Sequence, residues 1–261
     1  MTRTPKPFHD LTQLKALTPA RIGLARAGAS ISTHDMLAFD RDHARARDAV
    51  HLPFDPAAIA SRLDERHIPS LCVHSAAADR MTYLQRPDLG RQLDDPSRQR
   101  LNLHRSPDNE PYDLVVVIAD GLSTRAVHRN AIAVVDSFQN HAAAHGWRWA
   151  PVVIASQARV ALADEIGERL NARLSIILIG ERPGLSAADS MGIYLTHAPR
   201  IGRTDAQRNC ISNIRQAGLN PDTAARQLEL LIAAAFRLGL SGVKLKIDSR
   251  GVIGSVVPQV S

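Results

Sequence analysis

The feature that most narrows the possible folds is an apolar run that ends abruptly in a turn. The chain reads Leu174-Ser175-Ile176-Ile177-Leu178-Ile179, with Ser175 the one polar member, then Gly180-Glu181-Arg182-Pro183-Gly184-Leu185-Ser186. A strand with one wet face alternates apolar and polar side chains. A continuous apolar run of strand length fits a strand covered by helices on both faces. Residues 174–180 are therefore expected to form a central strand of a parallel sheet. In open α/β sheets ligands settle beyond the carboxyl ends of the strands. The loop 180–186 thus reads equally well as a ligand loop or as a plain tight turn.

The same grammar recurs on both sides of this run. Leu114-Val115-Val116-Val117-Ile118-Ala119 reads as a buried strand that turns at Asp120-Gly121-Leu122 into a helix capped by Ser123 and closed at Gly146. Residues 149–155 form another strand, with Ser156-Gln157-Ala158-Arg159 as its exit loop and a helix carrying Val160, Ala163, Ile166 and Leu170 after it. Residues 191–198 and 210–214 are strand-like, and Ser186 and Asp189 have capping-box spacing. Asn220-Pro221 caps a helix to Leu238, and 242–248 read as a last strand. Strands alternating with helices over short connections predict an α/β fold with a parallel, doubly wound, Rossmann-like sheet.

The N-terminal third differs. Phe8, Leu11, Leu14 and Leu17 recur every three residues and suggest a small amphipathic helix. Thr18-Pro19 reads as the start of a helix through Arg21, Ile22 and Leu24 toward Gly28. Ser32 or Thr33 caps a helix to about Val50, Asp55-Pro56 caps one ending near His67, residues 68–73 are strand-like and 75–85 helical. Turn-rich polar sequence follows, including Asp95-Pro96-Ser97 and Ser106-Pro107-Asp108. The expected organisation is a helical N-terminal region making subunit contacts (1–86), a linker (87–112) and an α/β domain (113–261).

Composition excludes several classes of function. Aromatics make up only 4% of the 261 residues, so the core must be built from Ala, Val, Ile and Leu. The net charge is +6, but the arginines are spread along the chain and interleaved with Asp and Glu. That pattern fits a solvated or subunit-facing surface better than a nucleic-acid footprint. Cys72 and Cys210 lie far from other ligating residues, so neither a metal site nor a disulfide framework is expected. No apolar run approaches a membrane span and the N-terminus has no secretory core, so a soluble intracellular protein is expected.

No catalytic set is complete. Walker A, G-x-G-x-x-G and G-x-S-x-G sequences are all missing. His141 and His145 stand four apart on one helix, but with no third ligand they read as a surface pair. Asp120 and Glu181 both end strands and are expected to converge at the sheet's carboxyl edge. They read either as acid and base or, less demandingly, as carboxylates that bind a ligand.

Several ordered motifs together resemble one family. They are Ile118-Ala119-Asp120-Gly121-Leu122-Ser123, Arg159-Val160-Ala161-Leu162-Ala163-Asp164-Glu165-Ile166-Gly167, Leu178-Ile179-Gly180-Glu181-Arg182-Pro183-Gly184 and Asn209-Cys210-Ile211-Ser212-Asn213-Ile214. Nearer the N-terminus, Thr18-Pro19-Ala20-Arg21-Ile22 and Asp42-His43-Ala44-Arg45-Ala46-Arg47-Asp48 agree as well. The chain resembles the ethanolamine ammonia-lyase small (light) subunit from about residue 10 to 248. One departure is Ala163, where the family often has Gly.

The resemblance implies a carbon–nitrogen lyase that converts ethanolamine to acetaldehyde and ammonia with adenosylcobalamin, inactive without a large subunit that carries the substrate site. It implies six large–small pairs, no nucleic-acid or membrane partner, and often a bacterial microcompartment, for which residues 8–17 are a candidate address. It places cofactor contacts on Val160, Glu181 and Cys210, with no catalytic residue and no metal ligand in this chain. Cobalamin domains that supply a histidine to cobalt carry Asp-x-His-x-x-Gly. That sequence is missing here, as a cofactor keeping its own dimethylbenzimidazole ligand requires. The alternative is a stand-alone nucleotide-binding α/β module, and a scaffold role through the basic N-terminus is a third reading.

Overall fold

The computed structural model describes residues 14–15, 17–18, 20–24, 26–247 and 253–255. A short hairpin, β1 (Arg26–Ala27) and β2 (Ser30–Ile31), precedes helices α1 (Thr33–His51) and α2 (Pro56–Asp64). Then come β3 (Ser70–His74), α3 (Arg80–Gln85), α4 (Asp95–Leu103), β4 (Tyr112–Ala119) and α5 (Thr124–Ala142). β5 (Val152–Ser156), α6 (Leu162–Leu170), β6 (Ala172–Gly180), β7 (Met191–His197), β8 (Arg208–Ile214), α7 (Pro221–Leu238), β9 (Leu245–Ile247) and β10 (Ile253–Ser255) complete the order.

Six strands form one sheet in the order β3-β5-β4-β6-β7-β8. Along β4 the apolar run serves two cores. Leu114, Val116 and Ile118 join side chains of α2, α5 and α7, while Val115, Val117 and Ala119 join α4 and α6. β6 divides in the same way, with Leu174, Ile176 and Leu178 on the first side and Ile177 and Ile179 on the second. Helices on both faces explain why these strands lack polar alternation.

β3, β5, β4 and β6 are parallel, whereas β7 is antiparallel to β6 and β8 antiparallel to β7. The expectation of a wholly parallel sheet is therefore corrected to a mostly parallel one. The connections are the cause. Residues 181–190 are too few for the crossover helix that a parallel return requires, so the chain folds straight back. Ser186 and Asp189, despite their capping-box spacing, start no helix. Gly184 and Ala187 exchange backbone hydrogen bonds in a tight turn instead.

Other expectations shift too. No helix runs through Arg21, Ile22 and Leu24. Gly23 (φ 58°) and Gly28 (φ 63°) take left-handed backbone, and Thr18 Oγ1 accepts from the Ala20 N–H in a local turn. Phe8, Leu11 and Pro19 lie outside the described residues. The helix expected over 75–85 starts only at Arg80, where Asp79 accepts from the Thr82 N–H as N-cap. The turn-rich stretch 87–112 contains α4, because Asp94 caps it and Pro96 occupies its first turn, where proline is favoured. The last strand-like segment pairs as β9 with β10, apart from the main sheet. β3, from within residues 1–86, is the sheet's edge strand.

Candidate functional site

The exit loops of β4 and β6 are interlocked at the sheet's carboxyl edge. The Leu122 N–H donates to the Gly180 carbonyl (2.9 Å), and the Ser123 hydroxyl donates to the Ala188 carbonyl (2.7 Å). Only glycine fits where the loops touch. A Cβ on Gly180 would stand 2.2 Å from the Ser123 carbonyl oxygen, and one on Gly121, whose φ is +58°, would stand 2.3 Å from the Gly180 oxygen.

Asp120 is 1% exposed and fully engaged. Its Oδ1 accepts from the Gly121 and Ala158 N–H groups, each at 3.0 Å, and its Oδ2 from the Gln157 N–H at 3.0 Å and Arg80 Nη1 at 3.3 Å. Burial pushes its carboxyl up, while the backbone donors and Arg80 pull it back. Arg80 also donates to the Gly121 carbonyl (2.8 Å) and through Nε to Val50 (2.8 Å), which ties α1 to the sheet edge. Asp120 is thus a brace for the exit loops of β4 and β5.

Glu181 turns the other way, toward β7 and β8. Its Oε2 accepts from the Ser190 hydroxyl (2.5 Å) and more distantly from the Asn213 N–H (3.4 Å). The acid–base alternative for Asp120 and Glu181 finds no shared contact among the described residues. They share the edge but not a hydrogen-bond partner, because each binds the loop on its own flank. Cys210, exposed on β8, lies opposite Tyr194 of β7. Partial desolvation raises the Cys210 thiol, Tyr194 opposes that, and the negative Glu181 adds to it. Burial also raises the Tyr194 phenol, and Cys210 and Glu181 push in the same direction. Glu181, Tyr194 and Cys210 are thus one cluster.

Val160 is half-buried in the turn before α6, not within that helix, and packs against the same core cluster as Tyr194. Its neighbour Arg159 and Glu181's neighbour Arg182 both line a cleft of about 410 Å³ between the exit loops and the C-terminal half of α1. Arg159 holds the Tyr83 carbonyl through Nη2 (3.0 Å), yet its buried Nε–H has no acceptor among the described residues.

Comparison with known proteins identifies the family of the chain. The family model for the ethanolamine ammonia-lyase light chain matches residues 9–246. The chain belongs to that family. An ethanolamine ammonia-lyase small subunit of Pseudomonas putida (strain GB-1) is 54% identical over 247 residues, covering 95% of this chain and 91% of that protein. One from Pseudomonas aeruginosa (strain LESB58) is 56% identical over 236 residues (90% and 86%), and one from Ralstonia nicotianae is 55% identical over 245 (94% and 90%). The light-chain family is that of a lyase subunit, so the search for a complete catalytic set within this chain gives way to the question of what its sheet edge holds.

The histidines have structural partners. His141 Nε2 lies 3.1 Å from Asp222 and His145 Nε2 2.8 Å from Glu229, both across to α7, and His145 stacks on Trp147. Sequence reasoning missed Tyr194 and Arg80. Tyr194 becomes visible only when β7 is known to be antiparallel, since that register sets it beside Cys210. Arg80 is one of many arginines, and nothing local marks it. Among the described residues no helix is long and apolar enough to cross a membrane.

Proposed function

We propose that this chain is the small subunit of an adenosylcobalamin-dependent ethanolamine ammonia-lyase and holds the nucleotide-loop side of the cofactor against a larger subunit that carries the substrate site. The observation that carries the reading is the half-open cluster of Glu181, Tyr194 and Cys210 beside a rigid, glycine-locked sheet edge. Such an edge offers polar partners to a ligand.

The residues suit the group. A corrin is rimmed with carboxamides, which need acceptors and donors, and its nucleotide tail adds a ribose and a phosphodiester. Among the described residues the second carboxylate oxygen of Glu181 has no hydrogen-bond donor, which leaves it for amide or hydroxyl donors, and the buried Arg159 Nε–H has no acceptor. Val160 offers an apolar contact or its backbone, and the small Cys210 side chain permits close approach. When bound, the cofactor supplies the radical that starts conversion of ethanolamine to acetaldehyde and ammonia. This chain's own part is to orient the cofactor and keep its tail in place.

The same reading takes the sheet as doubly wound and Rossmann-like, with 1–86 as a helical subunit-contact region and 113–261 as the cofactor domain. It takes the assembly as six large–small pairs in the cytoplasm, inside a microcompartment where one exists. Co-expression with a large subunit, followed by cobalamin difference spectra and an ammonia assay, tests it. The complex is expected to bind cobalamin and release ammonia, and the lone chain to do neither. Ammonia release by the lone chain would refute its dependence on the large subunit, and binding of NAD or ATP by the lone chain with no cobalamin binding by the complex would favour the stand-alone module instead.

A further inference from the structure

The cleft between α1 and the exit loops carries three arginines in its lining. Arg47 and His51 of α1 form one wall, and Arg159 and Arg182, from the exit loops of β5 and β6, form the other; no Asp or Glu lines it among the described residues. Arg47, Arg182 and His51 are exposed, and their side chains make no hydrogen bond or ion pair among the described residues. Several arginines near other loops are paired instead. Arg86, Arg105, Arg129 and Arg173, for example, each bind an aspartate at 2.7–2.9 Å. A concave site at the carboxyl edge of a sheet, with convergent positive charge left uncompensated, fits an anion. Apolar Val50, Leu122 and Pro183 share the lining, so the anion should be part of a larger, partly apolar molecule.

We infer that this cleft is a phosphodiester subsite, with Arg47 and Arg182 holding the phosphate of the cofactor's nucleotide tail. The inference rests on the cofactor reading above, and it adds a binding wall from α1, outside the α/β region. Arg182 follows Glu181 and Arg159 precedes Val160, so the two loops expected to contact the cofactor also supply arginines to the cleft. The phosphodiester is the one anionic group of the tail. Guanidinium groups suit it because they present paired donors to phosphate oxygens. Arg80 sets the width of the cleft from behind, since its bonds to Val50 and Gly121 fix α1 against the β4 loop.

The test uses the large–small complex and three corrinoids: cobalamin, cobinamide, which lacks the whole nucleotide, and cobinamide phosphate, which restores only a phosphate. Affinities are read by corrin absorbance, with far-UV circular dichroism and gel filtration confirming folding and subunit association. Wild-type complex is expected to bind cobinamide phosphate more tightly than cobinamide, by a margin that shrinks as salt rises. In R47Q/R182Q that margin should vanish and cobalamin affinity should fall about 10-fold, the scale of a charge-assisted hydrogen bond, with cobinamide unchanged. R47K/R182K should retain most of the margin. Loss of equal size for all three corrinoids, or no loss, overturns the inference while leaving the cofactor reading intact. Dissociation of the subunits in R47Q/R182Q also overturns it, because the cleft would then hold an acidic segment of the partner. Wild-type complex that binds no corrinoid refutes the cofactor reading itself.

Discussion

Asp120 and Glu181 end adjacent strands of one sheet, yet Asp120 engages both oxygens with four donors inside the protein, while Glu181 has Ser190 and a long contact to Asn213. Asp120 sits where three exit segments meet and no solvent reaches; Glu181 sits at the turn into the antiparallel end, half-buried. The difference separates the edge into a braced half, made by β4 and β5, and a receptive half, made by β6, β7 and β8. A carboxylate at the carboxyl end of a strand is therefore not in itself a sign of chemistry. What matters is whether the protein has already used its lone pairs.

The strongest way to break this comparison is to remove the brace. D120A would leave two buried and one part-buried N–H group without their acceptor and remove the carboxylate facing Arg80, and should lower the unfolding free energy by about 3–5 kcal/mol, read by urea denaturation. A loss within about 0.5 kcal/mol, the range of ordinary surface substitutions, would remove the distinction. D120N keeps one carbonyl acceptor and should cost less. G180A comes next. The added Cβ meets the Ser123 carbonyl at 2.2 Å, and the overpacking should cost about 1–3 kcal/mol, measured in the same way.

On the receptive half the same assay should barely respond. E181Q should change stability by less than about 1 kcal/mol, because the amide oxygen can still accept from Ser190 and the site is half open. The smallest effect concerns Cys210. Its thiol is raised chiefly by partial desolvation, with Glu181 adding to the rise. Removing that negative charge lowers the thiol pKa, enlarges the thiolate fraction at pH 8 and should speed alkylation of Cys210 in E181Q, while wild type keeps gaining rate as pH climbs past 9.0. Equal alkylation rates in the two proteins would show that the residues do not sense each other.

Much of this was legible in the residues, for identifiable reasons. Buried strands on both sides of the sheet announce themselves by unbroken apolar runs, as at 114–119 and 174–179, and the caps Ser32, Asp55, Ser123 and Asn220 each accept a backbone N–H as their spacing suggested. Strand direction was not legible. An apolar run reads the same in either direction, and only the shortness of 181–190 forces β7 to reverse. That reversal makes the Tyr194–Cys210 pair, so the receptive cluster stayed hidden although two of its three members were named. Asp120 was seen at the edge, but its role as a brace was not among the readings, because it shows only when the donors from Gln157 and Ala158, thirty-seven and thirty-eight residues away, come into place.

The most direct test of the account is a cobalamin titration of the large–small complex carrying E181Q, with a thermal melt of the same sample. The account predicts affinity about 10-fold weaker than wild type, the worth of a hydrogen bond to a charged group, and an unchanged melting temperature. Wild-type affinity in E181Q, and again in C210W, would contradict it.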